Sequence, residues 1–495
     1  MMPNRFFSLE QIRHIEKTAV AARLNLMDLA ANAIVFWVKT NIDKSQKILV
    51  LVGSGNNGGD GVLGALKLKA LGFDVAVLPV MTPLSTHTEK LLQLFKTKKG
   101  KILTRIPSTF NAYDVIIDAV LGIGINADLS PKLLKLVNAV NQSGKVILAI
   151  DTPSGLNPFT GQVHGAAIIA QHTITFIGDK PGFYTGYGID LAGEITIAGL
   201  VDPAEYKLPT SRHIELCMND LKSIEYQCLR RKQQNTHKGT FGNVLIIGGN
   251  KGMHGALYLA GRASMLMGAG RVVLASLDPD FHTDYLMPEL ITRFYKDVVK
   301  HLDNYSVIVI GPGFGADSRA EKILTRIMSK PPKSKFIFDA DALNIIAKNA
   351  ELQQKFKLIG QKIITPHPNE AARLLGESPV TVNQNRFMAV DNLQMRFSTI
   401  ALLKGAGSLI SDGQCTYINH TGGPVLSSAG QGDSLCGIMA AFIAQGVSLI
   451  HAVRLAVYIH GKAAESLVAE IGSNGITATE VTHSCRKLLN QMLYA

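Results

Sequence analysis

Short apolar runs recur along the chain, each closed by Gly, Asp, Asn or Pro and separated by longer stretches with helical spacing. Lys47-Ile48-Leu49-Val50-Leu51-Val52 has no polar alternation, so both faces of that strand must be covered, as in a parallel sheet. Further strands are predicted at residues 74–78, 114–117, 145–150 and 173–176. Ahead of them, residues 8–42 read as helical, with Leu24, Leu26, Met27, Leu29, Ala30, Ile34, Val35 and Trp37 as an apolar stripe, and residues 62–71 read as the next helix. A second alternation begins at 243–249. It continues through strands at 271–276, 306–310, 335–338, 362–364 and 399–403, and a hairpin of 408–410 with 416–419. Leu435, Ile438, Met439 and Phe442 then carry helical spacing. Residues 201–240 follow neither pattern. Glu215, Cys217, Asn219 and the basic pair Arg230-Arg231 mark a connecting segment with room for a short helix. The expected fold is α/β in two layered domains with no close sequence repeat between them.

Composition narrows the class. A chain of 495 residues exceeds one core, and 46% apolar with 18% charged residues describes a globular chain. The net charge of +12 is dispersed: the tight basic blocks, 96–101 and 230–232, read as solvated loops. That argues against nucleic acid as partner and suits acidic, phosphorylated metabolites. The five cysteines are scattered and odd in number, without CxxC spacing, which excludes a disulfide framework and zinc and fits a reducing cytoplasm. The start, Met1 to Phe7, has no long apolar region, and no 18-residue apolar run occurs, so no export signal, no membrane span and a cytoplasmic location are expected.

The candidate chemistry sits where predicted strands end. Gly53, Gly55 and Gly58 match GxGxxG, but the acid about 20 residues on, Asp74, starts the next strand instead of ending it. An ordinary dinucleotide dehydrogenase is therefore disfavoured. The loop still reads as a phosphate cradle, or as a tight Asn-Gly turn, and Asn56 and Asn57 add carbonyls that hard cations accept. Asp118, Asp151 and Ser154 follow two further strands. Singly each is an ordinary cap or loop residue; in register on one sheet edge they make one crevice. Lys180 is a phosphate contact, a proton donor or a solvated lysine.

Together, Gly-Asn-Asn-Gly-Gly-Asp-Gly (55–61), Asp-Ala-x-Leu-Gly-x-Gly (118–124), Asp-x-Pro-Ser-Gly-Leu (151–156) and Lys-Pro-Gly (180–182) resemble the NAD(P)H-hydrate epimerase domain, the YjeF N-terminal family, over about residues 8–200. The resemblance implies a Rossmann-like three-layer sandwich and a potassium ion held by Asn57, Asp118 and Ser154. It implies a hydrated nicotinamide nucleotide lined by Asn56, Asn57, Gly58, Gly59, Asp60, by Gly122, Ile123, Gly124, Ile125, Asn126, Ala127, Asp128, and by Asp151. Asp118, Asp151 and Lys180 are the candidates for its acid and base.

In the second half the strand-end loops are 252–256, 311–315, 339–344, 365–370 and 404–408. The turn Gly430-Gln431-Gly432-Asp433 opens the last helical run. A glycine turn feeding a helix offers free N–H groups to an anion, with Asp433 beside it as a base or as a plain helix cap. These loops resemble the NAD(P)H-hydrate dehydratase domain, the YjeF C-terminal branch of the ribokinase-like superfamily, over about residues 235–490. By that resemblance Ala256, Gly313, His367 and Asp433 contact the hydrated nucleotide, while Lys404, Gly405, Ala406, Gly407, Ser408 and Gly432 bind ADP or ATP. The nucleotide is the phosphoryl donor, with magnesium, and ADP is the expected form. Gln431 and Asn369 depart from the family's usual residues, so local reshaping is expected there.

The implied domains are 1–215, a linker 216–235, and 236–495. The implied partners are hydrated NADH and NADPH, with no nucleic acid or membrane, in a homo-oligomer. A small-molecule kinase shares the Gly-x-Gly-Asp turn and is the rival reading; a nucleotide-binding module without catalysis is the second.

Overall fold

Both halves of the chain are organised by a sheet that is covered on two sides. The computed structural model describes residues 6–206, 211–217 and 224–494; residues 1–5 and Asn219 lie outside the described residues. The chain divides into two compact units, Met1–Ile214 and Glu215–Ala495.

In the first unit, strands β1 (Lys47–Val52), β2 (Asp74–Pro79), β3 (Lys101–Ile102), β4 (Val115–Ala119), β5 (Val146–Ile150), β6 (His172–Phe176) and β7 (Glu194–Ala198) pair in the order β3-β2-β1-β4-β5-β6-β7. Every pair is parallel. The unbroken apolar run of β1 serves two cores. Ile48, Val50 and Val52 pack with Ile34, Trp37, Val62 and Phe95, while Leu49 and Leu51 pack with Leu133, Leu136 and Val140. The first face carries helices α1 (Leu9–Ala21), α2 (Leu26–Asn41), α3 (Asn56–Ala70) and α4 (Thr86–Thr97); the second carries α5 (Pro131–Asn141). This is the expected three-layer sandwich.

Two readings of this half are corrected. Residues 8–42, read as helical throughout, form two helices with a non-helical break at 22–25 and an angle of 110° between them. Arg23 takes φ +63° at the break. Ser8 and Gln11 close a capping box on α1, and Asn25 caps α2 by accepting from the Asp28 N–H at 3.1 Å. Helix α3 starts at Asn56, not near 62, so the Asn-Asn-Gly-Gly-Asp run is its opening turns. The glycines allow that: a Cβ on Gly58 would stand 2.2 Å from the Gly53 carbonyl oxygen, and one on Gly61 2.5 Å from the Ala119 side chain.

The second unit has β9 (Asn243–Gly248), β10 (Arg271–Ser276), β11 (Ile291–Phe294), β12 (Val307–Ile310), β13 (Lys335–Phe338), β14 (Lys362–Ile364) and β15 (Ile400–Leu403), followed by the antiparallel β16 (Ser408–Ser411) and β17 (Thr416–Asn419). With β8 (His213–Glu215) they form a sheet ordered β11-β10-β9-β12-β13-β14-β15-β16-β17-β8. The two outermost strands, β11 and β8, escape sequence reading because they are only partly covered and lack an apolar run. Helix Gln431–Ala444 is buried from Ser434 to Ile443. It lies so close to helix His254–Leu266 that a Cβ on Gly437 would stand 2.1 Å from the Ala260 carbonyl oxygen. Among the described residues no single helix is long and apolar enough to cross a membrane.

Gly437→Val should therefore push two buried helices apart and cost about 2 kcal/mol. Denaturant unfolding, followed by a probe in the second unit, checks this; an unchanged midpoint would contradict the close packing.

Candidate active sites

In each sheet the strand order reverses once among the parallel strands, between β1 and β4 and between β9 and β12. Loops leaving neighbouring strands at such a point diverge to opposite sides and open a crevice beyond the strand ends.

In the first unit this crevice is a cleft of about 1010 Å³. Asn56, Asn57, Asp60, all of residues 122–128 and Asp151 line it. Gly58 and Gly59 do not: both are buried in α3, where a Cβ on Gly59 would press on the Met27 methyl at 2.6 Å. Asn57, Gly122 and Asp151 converge, since a Cβ on Gly122 would lie 3.4 Å from Asn57 Cβ and 3.7 Å from Asp151 Oδ2. Arg13 and Glu16 of α1 and His87 of α4 complete the walls. No motif marks these three. Their only sequence signal is a position on the solvent side of an amphipathic helix.

Asp118 is fully buried. Its carboxylate accepts from Ser154 Oγ at 2.7 Å, Ser154 N at 2.8 Å and Val120 N at 3.2 Å. Burial outweighs these bonds and pushes its carboxyl up to about 6. Ser154 Oγ in turn accepts from Leu121 N at 2.8 Å, and Asn57 Nδ2 donates to Leu121 O at 3.0 Å. Asn57 Oδ1 is buried without a partner. An orphaned carbonyl oxygen next to a sealed carboxylate is a hard-oxygen donor set with unused capacity for a cation.

Asp151 leaves β5 with φ +66°, a left-handed backbone that costs of order 1 kcal/mol outside glycine. Its Oδ1 accepts from Lys180 Nζ at 2.7 Å and Phe176 N at 3.3 Å. Lys180 is fully buried behind it and also donates to Phe176 O at 3.1 Å and to Thr175 Oγ1. Of the three acid–base candidates only Asp151 faces the cleft. Lys180 supplies its counter-charge from behind.

In the second unit the polar ends of β13, β14 and β15 meet at one buried carboxylate. Asp339 accepts from Lys404 Nζ and Thr365 Oγ1, each at 2.7 Å, and from Cys436 Sγ at 3.4 Å. Burial alone would raise its carboxyl; the Lys404 charge and these bonds hold it below the ordinary carboxylate value. Gly432 belongs to the same spot, since a Cβ there would stand 3.4 Å from Lys404 Nζ. Asp433 follows in the first turn of its helix. Burial, then the Asp339 charge, pushes it up to about 6. Gly430 caps this helix at φ +86° with no side chain bonded to the first-turn N–H groups. Gln431 turns inward, its Oε1 3.1 Å from His460 Nε2 and its Nε2 donating to Ser428 Oγ at 3.1 Å.

His367 caps helix Pro368–Leu375, its Nδ1 accepting from Asn369 N at 3.1 Å. Lys404 N donates to Pro366 O at 2.9 Å, which ties that cap to the 404–408 hairpin loop. Beneath the loop, buried Arg386 donates to the carbonyls of Leu403, Lys404 and Gly407 at 3.3–3.5 Å. Gly313 takes φ +58° where its Cβ would meet Met253 O at 2.4 Å. Ala256 lies one turn before Leu259, whose methyl would be 2.4 Å from a Cβ on Gly430. Sequence reasoning placed Asp339 in the 339–344 strand-end loop without giving it a role of its own, and singled out neither Arg386 nor His460. Asp339 carries a signal as the first polar residue after β13; the other two sit inside helices and carry none.

Lys404→Met should leave Asp339 buried without its cation and cost about 3–5 kcal/mol at pH 7. Asp339's folded value is depressed, so its contribution exists above the unfolded carboxylate value and fades as pH falls below it. The gap between parent and variant should accordingly shrink in acid; denaturant unfolding at neutral and acid pH measures it.

A family profile described as YjeF-related protein N-terminus matches residues 23–182, and one described as NAD(P)H-hydrate dehydratase matches residues 244–487. Over 99% of both chains the sequence is 36% identical to the bifunctional NAD(P)H-hydrate repair enzyme Nnr of Vibrio cholerae. It is 33% identical to the enzyme of the same name from Coxiella burnetii, over 97% of this chain and 98% of that one. A ribokinase-like superfamily protein from Enterococcus faecalis superposes on 58% of this chain and 99% of its own, with 22% identity and a TM-score of 0.50, which is a likeness of fold. With full-length relatives at this identity, and both halves matched in order, the chain belongs to the family of bifunctional NAD(P)H-hydrate repair enzymes.

Proposed function

We propose that the chain repairs hydrated NADH and NADPH, epimerising the R and S hydrates in the first unit and dehydrating the S hydrate in the second. The observation that carries this reading is the full-length likeness to relatives named for that repair, with a carboxylate-bearing site in each half. The epimerase domain is taken as residues 1–215 and the dehydratase domain as 236–495, joined by 216–235.

The substrate carries its hydroxyl on C6, next to ring N1. In the first unit the N1 lone pair expels that hydroxyl, and water returns to either face of the iminium ion. Asp151 lines the cleft with Lys180 behind it and is placed to accept the proton of the incoming water. Residues 122–128, with Asn56, Asn57 and Asp60, line the nucleotide. Asn57, Asp118 and Ser154 would hold a potassium ion, which would supply fixed positive charge at that end of the cleft. The orphaned Asn57 Oδ1 supports that assignment.

In the second unit Asp433 takes the proton of the C6 hydroxyl, and the N–H groups of residues 430–433 receive the charge of the moving phosphoryl group. ADP or ATP is the phosphoryl donor that makes phosphate the leaving group; residues 404–408 and Gly432 would hold the nucleotide, and magnesium would come with it. Ala256, Gly313 and His367 contact the hydrated nicotinamide nucleotide. Loss of phosphate from C6 and of a proton from C5 then restores the 5,6 double bond.

Asp433→Asn should abolish dehydration and leave epimer exchange intact, read as nucleotide-dependent recovery of reduced-nicotinamide absorbance and as chromatographic R/S exchange. If both activities fall together, or neither falls, two separate sites are excluded. Because Asp433 acts as a base with a raised value of about 6, dehydration should climb as pH rises through 6 and level off above it. A phosphorylated vitamin precursor as product would favour the kinase reading.

A further inference from the structure

Epimerisation needs a proton on the hydroxyl as it leaves, and the residues that serve Asp151 do not supply one. Lys180 is sealed behind Asp151 and spends its N–H groups on Asp151, Thr175 and Phe176. Asp118 has no access to the cleft and is bonded to Ser154 and Val120.

Three other carboxylates line the cleft: Asp128, which is exposed and lies 3.7 Å from His164 Nδ1, and two more deeply placed ones, Asp60 from α3 and Glu16 from α1. Among the described residues neither has a hydrogen-bond partner or an ion pair. Asp60, Glu16 and Asp151 stand close enough for their charges to act on one another. The one buried ammonium in the group is committed to Asp151. Three carboxylates around one such cation, in a walled cleft, cannot all be ionised cheaply, so one of the unpartnered pair keeps its proton.

We propose, on the functional reading above, that Asp60 is that protonated acid and delivers its proton to the hydroxyl leaving C6, and that Glu16 is the positioning residue that keeps it protonated. The electron account closes without a redox partner. The C6–O bond breaks with its pair on oxygen, which takes the Asp60 proton and leaves as water, while the N1 lone pair forms N1=C6. A water then adds to C6 from the other face, its proton passing to Asp151, and the π pair returns to N1. In the opposite direction Asp151 and Asp60 exchange roles, as an epimerase requires.

Burial pushes the Asp60 carboxyl well above its ordinary value, with the Asp151 and Glu16 charges adding to the effect; burial and then Asp151 also raise Glu16. The charged and titratable groups facing this pair are Arg13 on α1, His87 on α4, Asp128 in the loop after β4, Asp151 at the end of β5, and Lys180 behind it.

The test uses the full chain and R/S exchange of hydrated NADH without nucleotide, with ADP-dependent dehydration of the S hydrate as internal control. Asp60→Asn should slow exchange by about 100-fold or more, as removal of a general acid does. Glu16→Gln removes a neighbouring negative charge, so the alkaline limb, where exchange falls as Asp60 loses its proton, should move to lower pH. Glu16→Asp should move it back toward the parent. Variants that keep the parent's rate and pH profile overturn the assignment, as does a Glu16→Gln loss of rate with an unmoved limb. A parent chain that exchanges no epimers, while still dehydrating the S hydrate, overturns the epimerase reading itself and this role with it.

Discussion

A parallel strand covered on both faces takes a polar side chain only at a cost, unless it is bonded there, as Asp118 is one residue before the end of β4. β1 is buried from Ile48 to Val52, and β9 from Val244 to Gly248. Functional groups are thereby driven to the strand ends. The reversal of strand order decides which ends stand apart far enough to admit a ligand. In the first unit that places Asn57 and Gly122 opposite each other with Asp151 beside them; in the second it places Gly313 against Met253. The two sites differ in chemistry and agree in construction because the same constraint built both.

The carboxylates brought to these ends meet the cost of burial in three ways. Asp339 is matched by Lys404 and two further donors and stays low. Asp118 has hydrogen bonds but no basic side chain beside it, so burial raises it to about 6, and it stays sealed from the cleft where a potassium ion would use its charge. Asp433 is raised first by burial and then by the Asp339 charge, with Lys404 only partly offsetting them, and ends at about 6. An acid meant to hold a charge is paired, and one meant to trade a proton is left short of partners. The unpaired state of Asp60 and Glu16 belongs with the second group.

What was legible in the sequence follows from the same physics. Inner strands were readable because two-sided burial writes an unbroken apolar run; β13 and β14 each start at the lysine before that run and end where it ends, at the bounds expected. The edge strands β8 and β11 write no such run. The start of α2 was written locally, as Asn25-x-x-Asp28, but with no Gly or Pro between Ala19 and Leu26 nothing in the composition interrupts the helical reading. Site residues at strand ends were readable for the reason the strands were. Glu16, Arg386 and His460 were not, because a helix carries a functional side chain without altering its period.

Gln431 shows how far such hidden partners reach. A long polar residue in a glycine turn would be expected to distort it, yet Gly430 keeps a left-handed cap and the helix begins at Gln431 itself. The side chain is buried, so it must be bonded or costly. Burial lowers His460 to about 4, so its ring is neutral at pH 7 and can donate Nε2–H to Gln431 Oε1, while the Gln431 amide donates to Ser428. All of the glutamine's polarity is thus spent beneath the turn. What permits Gln431 is a histidine on helix Leu449–Ile471, 29 residues further along the chain. The free N–H groups that the proposed phosphoryl transfer needs are left untouched by the substitution.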